Sequence, residues 1–424
     1  MLFFHTFFSS LHPLNPTLCP LLHSPPFVRA RSFYLFSVIL YIGALYTHDS
    51  APASKRLRFH VEKLSQLIVA ENLRSVEIVQ AHITYLCWKP PPLDDEEDRG
   101  STPPSAFPWL STCISTALSR RNGQSSFAVS SGNPAAIPDD DLLRNAQWYK
   151  HPLASPYDRI TCTIVELRRS FISLSLDIKY RLQHRSPEGT AWIAPFVDAV
   201  LDPWKERWLP TEHHHDNYLR LIHRHGRLWC LSAGLSPEFG TPEERQPCID
   251  ACLTAALECC KEGLADLRAP NYLWYLTNSG AVMLAYSASL ALRLFSPRDG
   301  SDASSSHAAL LGLIASFSLT LEQVGTTPPH RFGLTALYGR QLQKVVRRRA
   351  FALRKSYQLQ DDSLLLPQLD DLVMSSMSGF VDNSWDLFLG GGATDGMGDL
   401  AVFGEGSQVG GGQDWLAQLY PPSF

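Results

Sequence analysis

From Leu73 to Pro92 the chain reads LRSVEIVQAHITYLCWKPPP, and Val76, Val79, Ile83 and Leu86 return at intervals of three and four. That interval stacks them on one face of an α-helix, which turns once every 3.6 residues. Ser75 stands where an N-cap hydroxyl takes up an orphan backbone amide. Pro90, Pro91 and Pro92 stop the helix, because proline has no N–H and restricts the residue before it. The same rhythm recurs along most of the chain. It appears at Val61, Leu64 and Ile68, at Leu110, Ile114 and Ala117, and at Ile160, Ile164, Leu167 and Phe171. Tyr218, Leu221, Ile222, Leu228 and Trp229 share a face, as do Cys248, Cys252, Ala256 and Cys259. Tyr272–Phe295 and Ala308–Val324 read as two further apolar helices. No run alternates apolar and polar residues in the period of a strand, and no Asn-Gly joins two such runs. The expected fold is therefore all-α, a large helical domain with disordered tails at both ends.

A chain of 424 residues that is 45% hydrophobic can bury a large core, which excludes a wholly disordered or fibrous protein. With a net charge of −4, the whole chain carries no electrostatic case for nucleic-acid binding. Its nine cysteines are scattered and odd in number, as expected of reduced thiols rather than a disulfide framework. None forms a Cys-x-x-Cys pair. Residues 1–26 are apolar and broken by prolines, without the basic stretch that opens a secretory signal, and we read them as a leader that is either disordered or wrongly assigned to the chain. Ser32–Thr47 is uncharged over about sixteen residues, short of the roughly 20 a spanning helix needs. A buried core helix is the expected role, with a membrane anchor as the alternative.

Several of these stretches also resemble one family, the fungal zinc-cluster transcription factors, in their "middle homology" regulatory domain. The resemblance rests on Ser75-Val76-Glu77-Ile78-Val79-Gln80-Ala81 followed by Trp88-Lys89-Pro90, and on Arg31-Ser32-Phe33-Tyr34-Leu35-Phe36 followed by Gly43-Ala44. It continues at Trp148-Tyr149-Lys150-His151-Pro152, which introduces a helix carrying Leu167-Arg168-Arg169, and at the helix over Tyr272–Phe295. It covers roughly residues 27–355. Residues 119–144 are shorter and more polar than the family pattern, which has an arginine-rich helix there. The family's DNA-binding module needs six cysteines beginning with Cys-x-x-Cys to hold two zinc ions, and these residues lack it. The resemblance implies an all-helical regulatory domain over 27–355, a nuclear location and control of RNA polymerase II transcription. It implies no zinc or other cofactor in this chain and no enzymatic activity. DNA would be reached only through a partner, a homodimer or heterodimer mate, or a segment upstream of this sequence.

Two charge patterns carry the functional expectation further. Arg340–Lys355 joins Leu342, Val345, Val346 and Phe351 to seven cations. It reads as a core helix with a solvated basic face, and Arg347, Arg348, Arg349, Arg354 and Lys355 form a candidate nuclear-import patch. Beyond Lys355 there is no Lys or Arg, while ten Asp or Glu follow and glycines crowd the stretch from 379 to 412. Such a composition buries too little apolar surface to offset its ordering entropy, so 356–424 is expected to be a disordered acidic tail. Alternating acids and bulky apolar residues resemble an activation region in composition. Trp385, Asp386, Leu387, Phe388 and Leu389 are its best element, available to a coactivator groove as a transient helix.

Candidate chemistry is sparse. His213, His214, His215, Asp216, His223, His225 and Cys230 make the most metal-like cluster, and a helical metal-dependent enzyme using His213–His225 is the alternative function. No HExxH accompanies them, and adjacent histidines cannot share one helix face. Cys248, Cys252, Cys259 and Cys260 read as a buried stripe, since a reduced thiol packs as a small hydrophobe. No GxGxxG, GxxxxGK[ST] or GxSxG occurs.

Overall fold

The computed structural model describes residues 1–91, 147–184, 189–209, 216–236, 239–265, 272–295 and 303–359. Among them are twelve α-helices and no strand, so the all-α expectation holds. The helix expected over Trp109–Leu118, the segment 119–144 and the tail from residue 360 lie outside the described residues.

The N-terminal block is built around α3 (Phe33–Leu45), whose Ser32 hydroxyl caps it by accepting from the Leu35 amide at 3.2 Å. Ten of its thirteen residues are buried, which places protein on nearly every side of it. This is the stretch for which the sequence allowed a membrane anchor. At thirteen residues it is too short to cross a bilayer, and it sits inside a protein core. By length and composition alone, one described helix is long and apolar enough to span a membrane, over Ala308–Gly325, and more than half of that window is buried in the body.

α4 (Ala51–Ala70) and α5 (Val76–Trp88) both lie chiefly against α3. The cause is apolar area: α3 offers a hydrophobic surface all round, whereas α4 buries little beyond Ser54, Val61, Ser65 and Ile68. The expected cap of α5 is present, with Ser75 Oγ accepting from the Ile78 amide at 3.2 Å.

Residues 1–26 correct the sequence expectation of a disordered leader. They contain α1 (Leu2–Thr6) and short turns over Phe7–Leu14, and Phe4, Phe7, Leu11 and Leu18 are buried in the same core as Val38, Ile42 and Trp88. Gly43 permits this. A Cβ there would stand 2.6 Å from the Phe3 carbonyl carbon, so only glycine lets α1 lie so close to α3. α2 (Pro25–Arg31) then leads into α3, and Arg31 pairs with Glu77 of α5 at 2.9 Å.

The C-terminal body holds seven longer helices: α6 (Pro156–Gln183), α7 (Ile193–Trp208), α8 (Asn217–Ser232), α9 (Pro242–Ala265), α10 (Asn278–Leu294), α11 (Ala303–Gly325) and α12 (Leu334–Leu359). α6 opens on Asp158, whose carboxylate accepts from both the Ser155 amide and the Ser155 hydroxyl. α8 is central, packed against α6, α7, α9 and α10. Tyr218, Leu221, Ile222 and Leu228 form its buried face, as the spacing predicts. α11 and α12 form an antiparallel pair. Gly339 allows their close approach, since a Cβ would stand 2.6 Å from both the Glu322 amide and the Ser318 carbonyl.

The single helix expected over Tyr272–Phe295 is divided. A 3₁₀ turn spans Tyr272–Tyr275, and α10 begins anew after Thr277, whose hydroxyl accepts from the Gly280 amide at 3.2 Å. The break serves the joint between block and body. Asn278 Nδ2 donates to the carbonyls of Leu86 and Lys89, both at 2.9 Å, taking up acceptors that α5 leaves orphaned at its C-terminus. Trp88 Nε1 donates to the Tyr275 carbonyl at 2.9 Å. Trp88-Lys89-Pro90 is therefore the place where the two hydrophobic cores meet.

Candidate functional site: the basic helix and the histidine helix

α12 buries Ala336, Leu342, Val346 and Ala350 along one line against α10 and α11. Its cations fall outside that line, and they are not equivalent. Arg340 pairs with Glu322 of α11 at 2.8 Å, and its guanidinium lies over the Phe332 ring at 4.8 Å. Gln343 donates to the other Glu322 oxygen at 2.8 Å. Arg348 is exposed, and Lys344, Arg347, Arg349 and Arg354 are half-buried. Burial pulls the Arg347 pKa below the usual arginine value, opposed by the Glu322 charge. The Arg349 pKa is also lowered, first by burial and then by repulsion from Arg293. Lys355 lies within the helix, but its side chain is outside the described residues.

The five residues of the candidate import patch thus share one helix without forming one flat surface. Arg347 and Arg354 are seven apart and so are Arg348 and Lys355, placing each pair on nearly one line. Arg349 turns toward the line packed on the body. A run of three arginines in sequence becomes an exposed edge and a half-buried flank because each residue advances about 100° around the helix.

Of the metal-like cluster, His213, His214 and His215 lie outside the described residues. His223 and His225 are both buried on α8. The His223 ring stacks on Trp204 with centroids 5.4 Å apart, and His225 meets Tyr286 edge-on at 5.7 Å. Burial lowers the His223 pKa to about 4, and burial with the nearby Arg168 charge lowers that of His225 to about 3. Both rings are therefore neutral and held among aromatic side chains. Among the described residues, no three His, Cys, Asp or Glu side chains are arranged to hold a metal ion.

Cys248, Cys252, Cys259 and Cys260 are buried on α9, where Cys248 Sγ donates to the Leu231 carbonyl at 3.0 Å. Burial pushes the Cys259 thiol up to about 12 and raises those of Cys252 and Cys260 as well, with a Cys248 hydrogen bond as the larger cause at Cys252. Such thiols are not ionised near neutral pH and behave as packing groups.

Arg331 is the buried cation that periodicity did not single out. It is 5% exposed and stands over the Tyr46 ring at 3.9 Å. It donates to the carbonyls of Trp274 at 3.1 Å, Thr327 at 3.2 Å and Val324 at 3.4 Å. Nearby, His330 Nε2 contacts the Ala44 carbonyl at 3.2 Å. The loop between α11 and α12 thereby holds α3 to the body. No local signal marks Arg331, because the Tyr46 ring and the Trp274 carbonyl that meet it come from segments far away in the chain. The proposed activation element Trp385–Leu389 lies outside the described residues.

No family model matches the chain, and no solved structure matches it. Among curated proteins it is similar to "Protein priB" of Lentinula edodes, with 22% identity over 333 residues. The alignment covers 69% of this chain and 54% of that protein, so the chain spans about half the length of the curated relative it matches.

Proposed function

We propose that this chain is a fungal-type regulator of RNA polymerase II transcription that works in the nucleus through its helical body and acidic tail. One observation carries the proposal: a helix rich in arginine runs directly into a stretch with ten acids, bulky apolar residues and no Lys or Arg. The resemblance of α3, α5 and α10 to the zinc-cluster regulatory domain supports it. The nine cysteines hold no Cys-x-x-Cys, so DNA contact belongs to a partner or to sequence outside these residues. The tail would engage a coactivator through Trp385, Leu387 and Phe388, with acids keeping these side chains in water until a groove receives them. Arg347, Arg348, Arg349, Arg354 and Lys355 would be read by an import receptor as clustered charge.

The test places the full chain at a reporter promoter through an unrelated DNA-binding domain. Activation is expected, with a severalfold loss on Trp385→Ala combined with Phe388→Ala. A silent reporter would overturn the proposal. A fluorescent fusion carrying Arg347→Ala and Arg348→Ala should shift from nucleus to cytoplasm if the patch directs import.

A further inference from the structure

α4 is packed chiefly on α3 and turns its other side outward. Its buried residues, Ser54, Val61, Ser65 and Ile68, share the side that faces the block. On the opposite side Lys55, Arg56, Phe59, Lys63 and Leu67 fall within about 120° of arc, because each residue advances about 100° around the helix. All five are exposed, Phe59 to 71% and Leu67 to 49%. The Phe33 ring, 51% exposed, meets His60 edge-on at 5.4 Å and extends the same surface. Two phenyl rings and a leucine side chain thus stand in water beside three cations, and grouped apolar exposure of this kind marks a contact surface.

Charge on this side has one sign. Residues 1–91 carry eight Lys or Arg against four Asp or Glu, a net +4 in a chain whose total is −4. Two of those acids are already engaged, Glu62 by Arg58 at 3.0 Å and Glu77 by Arg31 at 2.9 Å. The other two, Asp49 and Glu71, flank the ends of α4. Among the described residues, Lys55, Arg56 and Lys63 pair with no carboxylate. Arg56 Nε donates only to the Pro52 carbonyl of its own helix, at 3.3 Å.

Shape selects the occupant. An acidic helix from a second protein docks in a groove between two elements. α4 has its main support on α3 alone, so its outer half stands up as a ridge about 30 Å long. A ridge with interleaved cations and rings fits a broad, deformable anionic plane. Lipid headgroups offer such a plane to lysine and arginine, and the boundary beneath them accepts phenyl and leucine side chains. We propose that the outer face of α4 docks on an anionic lipid bilayer surface, with Lys55, Arg56 and Lys63 against headgroup phosphates and carboxylates and Phe33, Phe59 and Leu67 entering the interface. The helix lies on the membrane without crossing it. This contact is independent of the proposal about transcription and uses neither α12 nor the acidic tail.

Flotation of the full chain with vesicles tests it. Binding to phosphatidylcholine vesicles containing about 30% phosphatidylserine should exceed binding to pure phosphatidylcholine at least tenfold, and about 0.5 M NaCl should remove most of that gain. Lys55→Glu with Lys63→Glu should abolish the preference, and Phe59→Ser should weaken binding severalfold. All three positions are exposed, so the denaturation midpoint should not move in these variants. Arg347→Ala with Arg348→Ala, on α12, should bind as the unaltered chain does. On bound vesicles, acetylation of Lys63 should slow severalfold while that of Lys261, exposed on α9, stays constant. Equal binding to both vesicles, binding lost only in the α12 variant, or a Lys63 as reactive on vesicles as off them would overturn the proposal. Capture of a synthetic acidic amphipathic helix by this face, with no vesicle binding, would overturn it in favour of a protein partner.

Discussion

The N-terminal block and the C-terminal body solve the same problem in different ways. In the block, one short helix that is apolar all round, α3, gathers α1, α2, α4 and α5 onto itself. In the body, long amphipathic helices each bury one stripe, and α8 lies among four neighbours. The block therefore depends on a few large side chains around one axis, whereas the body spreads its burial over seven helices. The two meet through Trp88 and Asn278, which donate to carbonyls across the joint, and through Arg331, whose guanidinium lies over the Tyr46 ring of the block. Polar groups at such a joint set one geometry, because a buried carbonyl without its donor costs about 1–3 kcal/mol.

Acid is expected to have the largest effect and to act on both halves. Burial lowers His12 and His82 in the block, and His223 in the body, to about 4, and lowers His225 to about 3. Each is neutral in the folded chain and binds a proton more readily once unfolded. Stability is thus full above about pH 6.5 and falls as pH drops toward 4, by roughly 3 kcal/mol per group. Chemical denaturation from pH 7.5 to 4.5 should show that loss. A flat profile would mean that these rings reach water in the folded protein.

Phe7→Ala tests the leader and should affect the block alone. Phe7 is fully buried and meets Trp88 edge-on at 6.0 Å, so a loss of about 3–5 kcal/mol is expected. A midpoint unchanged in a denaturant titration would restore residues 1–26 to the status of a tail. Arg331→Ala addresses the joint. It removes the guanidinium over Tyr46, which reaches across to the block, and leaves three carbonyls of the body without their donor, so it should cost about 3 kcal/mol and turn one cooperative transition into two as the halves uncouple. A single transition at the original midpoint would show that apolar contact alone couples them. The smallest expected effect is Ser75→Ala, about 1 kcal/mol from the lost cap of α5, read as a modest shift of the same midpoint.

Much of the helical content was legible because periodicity is a local property. Ser75 caps the helix that follows it, and the stripes of Tyr218–Leu228 and Cys248–Cys259 are buried as their spacing predicts. The leader was misjudged because prolines and apolar residues without a helical rhythm read as disorder, whereas the bare face of Gly43 admits the Phe3 backbone and Phe4 and Phe7 join the core around α3. The split at Thr277 was hidden by the continuous apolar run on either side of it.

By itself, the sequence determined that the chain forms helices, where most of them start, and that positive charge gathers just before an all-negative end. These follow from residue type and near-neighbour spacing. Tertiary structure alone decided that α4 and α5 share α3, that Arg331 holds the block to the body, and that three consecutive arginines divide between an exposed edge and a half-buried flank. Those outcomes depend on which surfaces and carbonyls come together from segments far apart in the chain, and no local pattern carries that information.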